Sequence, residues 1–212
     1  SSSPELLKES LVFRDLPAMR EDGKLIAITS YSSTSFFIYR GELMGFEYEL
    51  LQWLADYLEL ELEVKIATDM DELINMLNRG DGDIVAHNLT ITADRKNYLA
   101  FTEHHATTRQ VLVQRKPENW RRMRMRDIKD HLIGSPVDLV DLAGETIHVR
   151  KNTSYAERLR HLEKELGGLF SIHYEPANRV TEDIIKDVAE GKIDYTVADH
   201  NIASLNAMYY PN

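Results

Sequence analysis

The chain has 212 residues, 43% hydrophobic and 28% charged, which is enough for one large domain or two small lobes of ordinary globular composition. The formal net charge of −10 argues against nucleic acid as the main partner, because phosphate binding needs a cationic surface. Cysteine is absent, which excludes disulfides, a thiol nucleophile and cysteine-based metal sites.

Residues 1–23 are predicted to be an N-terminal leader with short helices over residues 5–11 and 16–21, the second ending at Gly23. No apolar run approaches the roughly 20 residues of a membrane span, and no signal peptide is recognisable. We therefore expect either a cytosolic protein or an exported chain whose leader has been removed.

Residues 24–108 are predicted to form the first lobe, in which strands and helices alternate. This order implies a mainly parallel sheet with right-handed crossovers. The predicted strands cover residues 24–29, 61–67 and 84–86, and the helices cover 46–58 and 73–78.

A polar and aromatic loop, residues 31–39, follows the first strand. Ligands of open α/β sheets bind outside the carboxyl ends of the strands, so Tyr31 and Phe36 are candidate walls of a binding site. Burial of Phe36 in the core is an equally good interpretation and is compatible with the first.

The segment from Asp81 to Arg95 combines a turn, a short apolar strand, a polar loop and a predicted helix capped by Thr92. A helix start attracts anions, and an arginine in its first turn adds a planar fork that fits a carboxylate. Together with the hydroxyl groups of Thr90 and Thr92, Arg95 indicates a pocket that binds a carboxylate. The alternative is that Arg95 pairs with a surface acid.

The connection between the lobes is placed near residues 104–109. His104 and His105 are interpreted as loop residues, because adjacent histidines lack the spacing of metal ligands. A strand over residues 110–114 follows. Residues 115–129 are basic and predict a solvated helical face, with binding of an anionic envelope polymer as the alternative.

Residues 109–212 are predicted to form the second lobe with the same alternating pattern. The strands cover residues 147–150, 170–174 and 193–198, and the helices begin near Ser154, Thr181 and Asn201. Asp199 lies at the carboxyl end of the last strand. An amino acid has a carboxylate for Arg95 and an ammonium for Asp199, and anchors on separate lobes would make closure depend on the ligand. The alternative role for Asp199 is an N-cap, and the two roles can coexist.

Four segments, residues 45–51, 82–95, 141–155 and 191–199, resemble the family 3 extracellular solute-binding proteins, and within that family the sensor domains of membrane-bound lytic transglycosylases. The resemblance implies a two-lobed periplasmic-binding-protein fold of type II. It also implies that Arg95 and Thr90 bind the ligand α-carboxylate, that Asp199 binds the α-amino group and that Thr153 and Ser154 donate hydrogen bonds. The sequence departs from the family pattern in the loop beginning at Tyr31 and at Asn88, which places ligand identity in question.

We therefore expect an α/β, two-lobed ligand-binding module for an amino acid or a short cell-wall-derived peptide, in the periplasm or attached to the outer membrane of a Gram-negative bacterium. It is expected to be a monomer without catalytic residues, metal or cofactor, with peptidoglycan as a further candidate contact. The return segment to the first lobe and any catalytic domain are expected to be absent from this chain. The alternatives are an amino-acid receptor of an ABC transporter and a cyclohexadienyl-dehydratase-like enzyme, for which Glu103 and His105 are the nearest candidate acids.

Overall fold

The computed structural model describes residues 14–133 and 141–212. The chain divides into two compact units, residues 1–89 and residues 90–212. The helix predicted over residues 5–11 lies outside the described residues.

Seven helices and nine strands are assigned in the described residues. The helices are α1 (Leu16–Asp22), α2 (Phe46–Leu58), α3 (Met70–Arg79), α4 (Met125–Asp130), α5 (Ser154–Glu165), α6 (Thr181–Ala189) and α7 (His200–Tyr209). The strands are β1 (Lys24–Thr29), β2 (Phe37–Tyr39), β3 (Glu42–Met44), β4 (Glu61–Ile66), β5 (Ile84–Val85), β6 (Gln110–Gln114), β7 (Thr146–Arg150), β8 (Ser171–Glu175) and β9 (Tyr195–Asp199).

The first unit contains a three-stranded parallel sheet in the order β4-β1-β5. The central strand, β1, buries Leu25, Ala27 and Ile28, which is why its sequence is a continuous apolar run. Leu51 and Ala55 of α2 pack against this sheet, whereas Tyr57 of the same helix is 84% exposed. The predicted parallel sheet with flanking helices is confirmed.

The loop after β1 contains a β-hairpin that the sequence analysis does not predict. β2 and β3 pair in antiparallel register across a turn at Arg40 and Gly41, both of which have positive φ angles. Each strand has only three residues, and most of their side chains are exposed. Alternation between buried and exposed positions is therefore too short to be recognised in the sequence.

The loop preceding the hairpin is tied to the start of α2. The carbonyl oxygens of Thr34 and Ser35 accept hydrogen bonds from the first backbone N–H groups of this helix, at Phe46, Glu47 and Tyr48. These contacts satisfy donors that a helix start otherwise leaves unpaired. The aromatic loop is therefore fixed to the helix by its own backbone.

The second unit contains a four-stranded sheet in the order β6-β9-β7-β8. β6 is antiparallel to β9, and the other neighbours are parallel. Ile147 and Val149 of β7 pack with Tyr155, Leu159 and other residues of the main cluster on one face. The mainly parallel second sheet is confirmed.

Residues 90–108, assigned to the first lobe in the sequence analysis, group with the second unit. The Thr90 hydroxyl lies 3.1 Å from the Ser154 hydroxyl, and the backbone N–H of His200 donates to the Arg109 carbonyl at 2.9 Å. These hydrogen bonds attach the segment to α5 and α7. Arg95 and Asp199 consequently belong to the same compact unit.

One predicted helix start differs from the structure. The helix expected from Thr92 through Tyr98 is only a 3₁₀ turn over Arg95–Asn97, because the sequence that follows carries no apolar repeat of helical period to sustain it. The helix predicted to begin near Thr181 has this buried residue as its first position, and Val180 is its N-cap.

The predicted basic face is exposed. The side chains that face solvent around a 3₁₀ turn and α4 are those of Arg121, Arg122, Arg124 and Arg126.

None of the helices in the described residues is both long and apolar enough to span a bilayer.

Candidate functional site

Arg95 is buried at the start of the 3₁₀ turn, with 7% of its surface exposed. Its Nη1 donates a hydrogen bond of 2.9 Å to the Thr90 carbonyl, and its backbone N–H donates to the Thr92 hydroxyl at 3.3 Å. Thr90 and Thr92 therefore hold Arg95 in place through local hydrogen bonds.

The guanidinium has no ion-pair partner among residues 90–133 and 141–212. Burial lowers the pKa of Arg95, and Tyr98 and Glu157 act in the opposite direction. A buried cation is costly unless an anion compensates it. The predicted alternative, pairing of Arg95 with a surface acid, is not observed within this part of the chain.

Asp199 is another buried charged residue of this unit, with 4% of its surface exposed. It occupies the N-cap position of α7, but its side chain makes no capping hydrogen bond, so the capping alternative is not realised in its usual form. Burial raises the pKa of Asp199, and a hydrogen bond from Tyr155 partly offsets this effect. Within the described residues of the unit, no cation forms an ion pair with the carboxylate.

Tyr155 is a candidate site residue that the sequence analysis does not identify. It is buried in the first turn of α5, and its hydroxyl also accepts a 3.3 Å hydrogen bond from the Asp199 backbone N–H. Burial and the neighbouring Asp199 raise the pKa of the phenol, which keeps it protonated and able to donate. A tyrosine in a first helical turn resembles any core aromatic, so the sequence offers no signal for this role.

The start of α5 joins Arg95 to Asp199 through a series of contacts. Thr153 is the N-cap, and its hydroxyl accepts from the Ala156 N–H at 3.3 Å and donates to the Arg150 carbonyl at 2.8 Å. Ser154 contacts Thr90, whose carbonyl holds Arg95, and the next residue is Tyr155, which contacts Asp199. The predicted residues Thr90, Arg95, Thr153, Ser154 and Asp199 are thus brought into one continuous cluster.

The other three predicted residues, Tyr31, Phe36 and Asn88, lie in the unit of residues 1–89. Phe36 is 2% exposed, and its ring contacts those of Tyr31 and Tyr48, each at a centroid distance of 5.7 Å. Phe36 is therefore a core residue, as the alternative interpretation expected. Tyr31 and Asn88 are exposed.

The candidates for acid chemistry, Glu103 and His105, are both exposed. His104 is exposed as well, in agreement with its interpretation as a loop residue. An acid held over a substrate ring normally lies in a site from which water is excluded. Exposure gives neither Glu103 nor His105 such an environment.

The sequence is similar to those of known solute-binding proteins and lytic transglycosylases. The family model described as bacterial extracellular solute-binding proteins, family 3, matches residues 24–166. A membrane-bound lytic murein transglycosylase F from Desulfosudis oleivorans is 38% identical over 194 residues, which are 92% of this chain and 39% of that protein. The chain thus spans well under half the length of this curated relative.

Solved structures share the fold. A single-residue mutant of arginine-bound ArgBP from T. maritima has a TM-score of 0.72 at 20% identity, over 93% of this chain and 83% of that one. An ancestral amino-acid-binding protein, a precursor of cyclohexadienyl dehydratase, has a TM-score of 0.71 at 24% identity, over 91% and 77% of the two chains. The predicted α/β fold of the type II periplasmic binding proteins is confirmed.

Proposed function

Because the chain belongs to the bacterial extracellular solute-binding proteins, family 3, we propose that it is a non-catalytic module that binds an amino acid or a short cell-wall-derived peptide. We further propose that it acts as the sensor part of a lytic-transglycosylase-associated protein in the periplasm or at the outer membrane. The similarity to transglycosylase F over most of this chain supports the second part of the proposal.

The observation that carries this proposal is the pair of buried charges, Arg95 and Asp199, which lie in one compact unit and form no ion pair with its described residues. The pair matches the two charges of a free amino acid. The ligand carboxylate would accept the paired N–H groups of Arg95, and its ammonium would donate to Asp199. Each buried charge would then gain the partner that the described residues of its unit do not supply.

The start of α5 would complete the carboxylate site. α5 has 12 residues, and Thr153 caps only one of the N–H groups in its first turn, that of Ala156. N–H groups of a first turn and the positive end of a helix favour an anion. The hydroxyl groups of Thr90 and Ser154 are further hydrogen-bond donors near the start of α5. This arrangement supports recognition of a carboxylate rather than of a neutral sugar.

The two structural relatives support an amino-acid ligand, since one is an arginine-bound protein and the other an ancestral amino-acid-binding protein. A role as a transport receptor is the second candidate, because this fold alone does not separate it from a sensor.

Contact with peptidoglycan through the exposed arginines around Trp120 belongs to the same proposal. The Lys116 ammonium lies 4.1 Å from the Trp120 ring centre and Arg121 lies 5.4 Å from it, which gives this basic face an aromatic platform.

Isothermal titration calorimetry against a panel of amino acids and muropeptides tests the proposal. We expect at least one ligand to bind the wild-type chain with one-to-one stoichiometry and Arg95→Ala to raise its Kd by about 30-fold or more. Arg158→Ala, at an exposed position on α5, is the matched control and should bind as the wild type does. Absence of binding across the panel, or equal affinity in Arg95→Ala, would overturn the proposal.

A further inference from the structure

Two histidines and a glutamate, none of them assigned to ligand binding, form a cluster on β7 and β8. His148 is paired with His173 in the parallel register, and Glu175 lies two residues further along β8, hence on the same face. The two imidazole centroids are 4.5 Å apart. One potential ligand atom from each residue lies within 4.8 Å of the other two.

We propose that His148, His173 and Glu175 form a binding site for a divalent transition-metal ion of the Zn²⁺ class. Glu175 Oε1 lies 2.8 Å from His148 Nδ1 and 3.9 Å from His173 Nε2. A tetrahedral Zn²⁺ ion holds neighbouring nitrogen and oxygen ligands about 3.3–3.5 Å apart, a separation between these two distances. The His173 side chain is 57% exposed and can rotate by the small amount required.

The ligand set selects the class of metal. Imidazole nitrogen suits Zn²⁺, Cu²⁺ and Ni²⁺, whereas Mg²⁺ and Ca²⁺ take oxygen ligands almost exclusively. Three protein ligands leave at least one coordination position open to water or to a group from another molecule. The backbone places all three ligands on paired strands, so little chain ordering is needed to form the site.

Arg179 supports the glutamate from the opposite side. Its Nη1 donates to Glu175 Oε2 at 2.8 Å, and its Nη2 pairs with Asp187. The carboxylate therefore turns its other oxygen, Oε1, toward the histidines. Outer partners that orient a metal ligand in this way are a regular part of metal sites. A bound ion would replace the hydrogen bond between His148 and Glu175 and would link β7 to the edge strand β8.

Titration of the tag-free chain with ZnCl₂ at neutral pH, followed by calorimetry, tests the site. We expect one equivalent of Zn²⁺ to bind and MgCl₂ and CaCl₂ to give no signal. His173→Ala should weaken Zn²⁺ binding at least tenfold, because even loss of an outer partner typically costs about 10–100-fold. The matched control is His161→Ala, an exposed histidine on α5, which should bind Zn²⁺ as the wild type does.

Thermal unfolding supplies a second readout. Zn²⁺ should raise the Tm of the wild type and of His161→Ala but not that of His173→Ala. Without metal, His173→Ala should unfold at the wild-type temperature because this side chain is largely exposed. If it does not, His173→Gln keeps the size of the side chain and replaces it in the test. Equal Zn²⁺ affinity in the wild type and the His173 variant, or no Zn²⁺ binding by the wild type, would overturn the proposal.

Discussion

Replacement of Asp199 by asparagine should affect ligand binding and stability in opposite directions. Asn keeps the shape of the side chain and can still accept the hydrogen bond from Tyr155, but it removes the buried negative charge. Loss of one partner from a buried charge pair typically costs about 2–5 kcal/mol of binding, which is roughly 30-fold to several thousand-fold in Kd. We therefore expect Asp199→Asn to lose most of its affinity for an amino-acid ligand.

The ligand-free protein should instead be stabilised. Because burial raises the pKa of Asp199 in the folded state, ionisation of this group costs more in the folded state than in the unfolded state. Stability therefore declines as pH rises from the ordinary aspartate range through the raised folded-state pKa, and the loss persists at neutral pH. Removing the charge should recover this loss, and each 1 kcal/mol recovered would raise the Tm by about 2–4 °C for a chain of this size.

Calorimetry with the ligand identified for the wild type and thermal unfolding without ligand measure the two effects. Asp183→Asn, an exposed acid in the first turn of α6, is the control and should change neither the Kd nor the Tm appreciably. A lower Tm for Asp199→Asn at neutral pH would show that the carboxylate serves the fold. Unchanged affinity would show that it does not face the ligand ammonium.

Three further predictions concern the framework. Arg14→Met should cost about 3–5 kcal/mol in chemical denaturation, because Arg14 pairs with the buried carboxylate of Asp83, which would be left without a cation; an effect below 1 kcal/mol would contradict this. Gly45→Ala should cost at least about 1–3 kcal/mol, since φ is 132° there and an added Cβ would lie 2.8 Å from a backbone nitrogen; wild-type stability would refute the close approach. Arg179→Met should cost about 1–2 kcal/mol at pH 7 and less at acid pH, because Arg179 lowers the pKa of Asp187 and this contribution is lost as pH falls through the folded-state value; a cost independent of pH would contradict the ion pair.

Elements with strong local signals were predicted from the sequence. β1 is a continuous apolar run with the predicted bounds. α3 was predicted over residues 73–78 and spans Met70–Arg79, with the Asp69 side chain accepting from the Glu72 N–H at 2.9 Å before it and Gly80 with positive φ after it. In these segments the chemistry of a few adjacent residues determines the backbone. The β2–β3 hairpin lacked such a signal because its strands are short and exposed.

The site was predictable only in part. Asp199 stands out because it follows an apolar strand, and Arg95 because it follows Thr92 at a predicted helix start. Their grouping in one unit depends on contacts between distant segments, such as Thr90 with Ser154. Tyr155 has no distinguishing sequence pattern. His148 and His173 are far apart in the chain, and only the register of β7 with β8 makes them neighbours.

The most direct measurement of the central claim combines changes in the ligand with changes in the protein. The amino acid that binds, its carboxamide and its desamino acid are each titrated into the wild type, Arg95→Ala and Asp199→Asn. If Arg95 binds the carboxylate and Asp199 the ammonium, the carboxamide should lose affinity for the wild type but little more for Arg95→Ala, and the desamino acid should show the same non-additivity with Asp199→Asn. Losses that simply add, with each altered ligand weakened equally in all three proteins, would contradict the account.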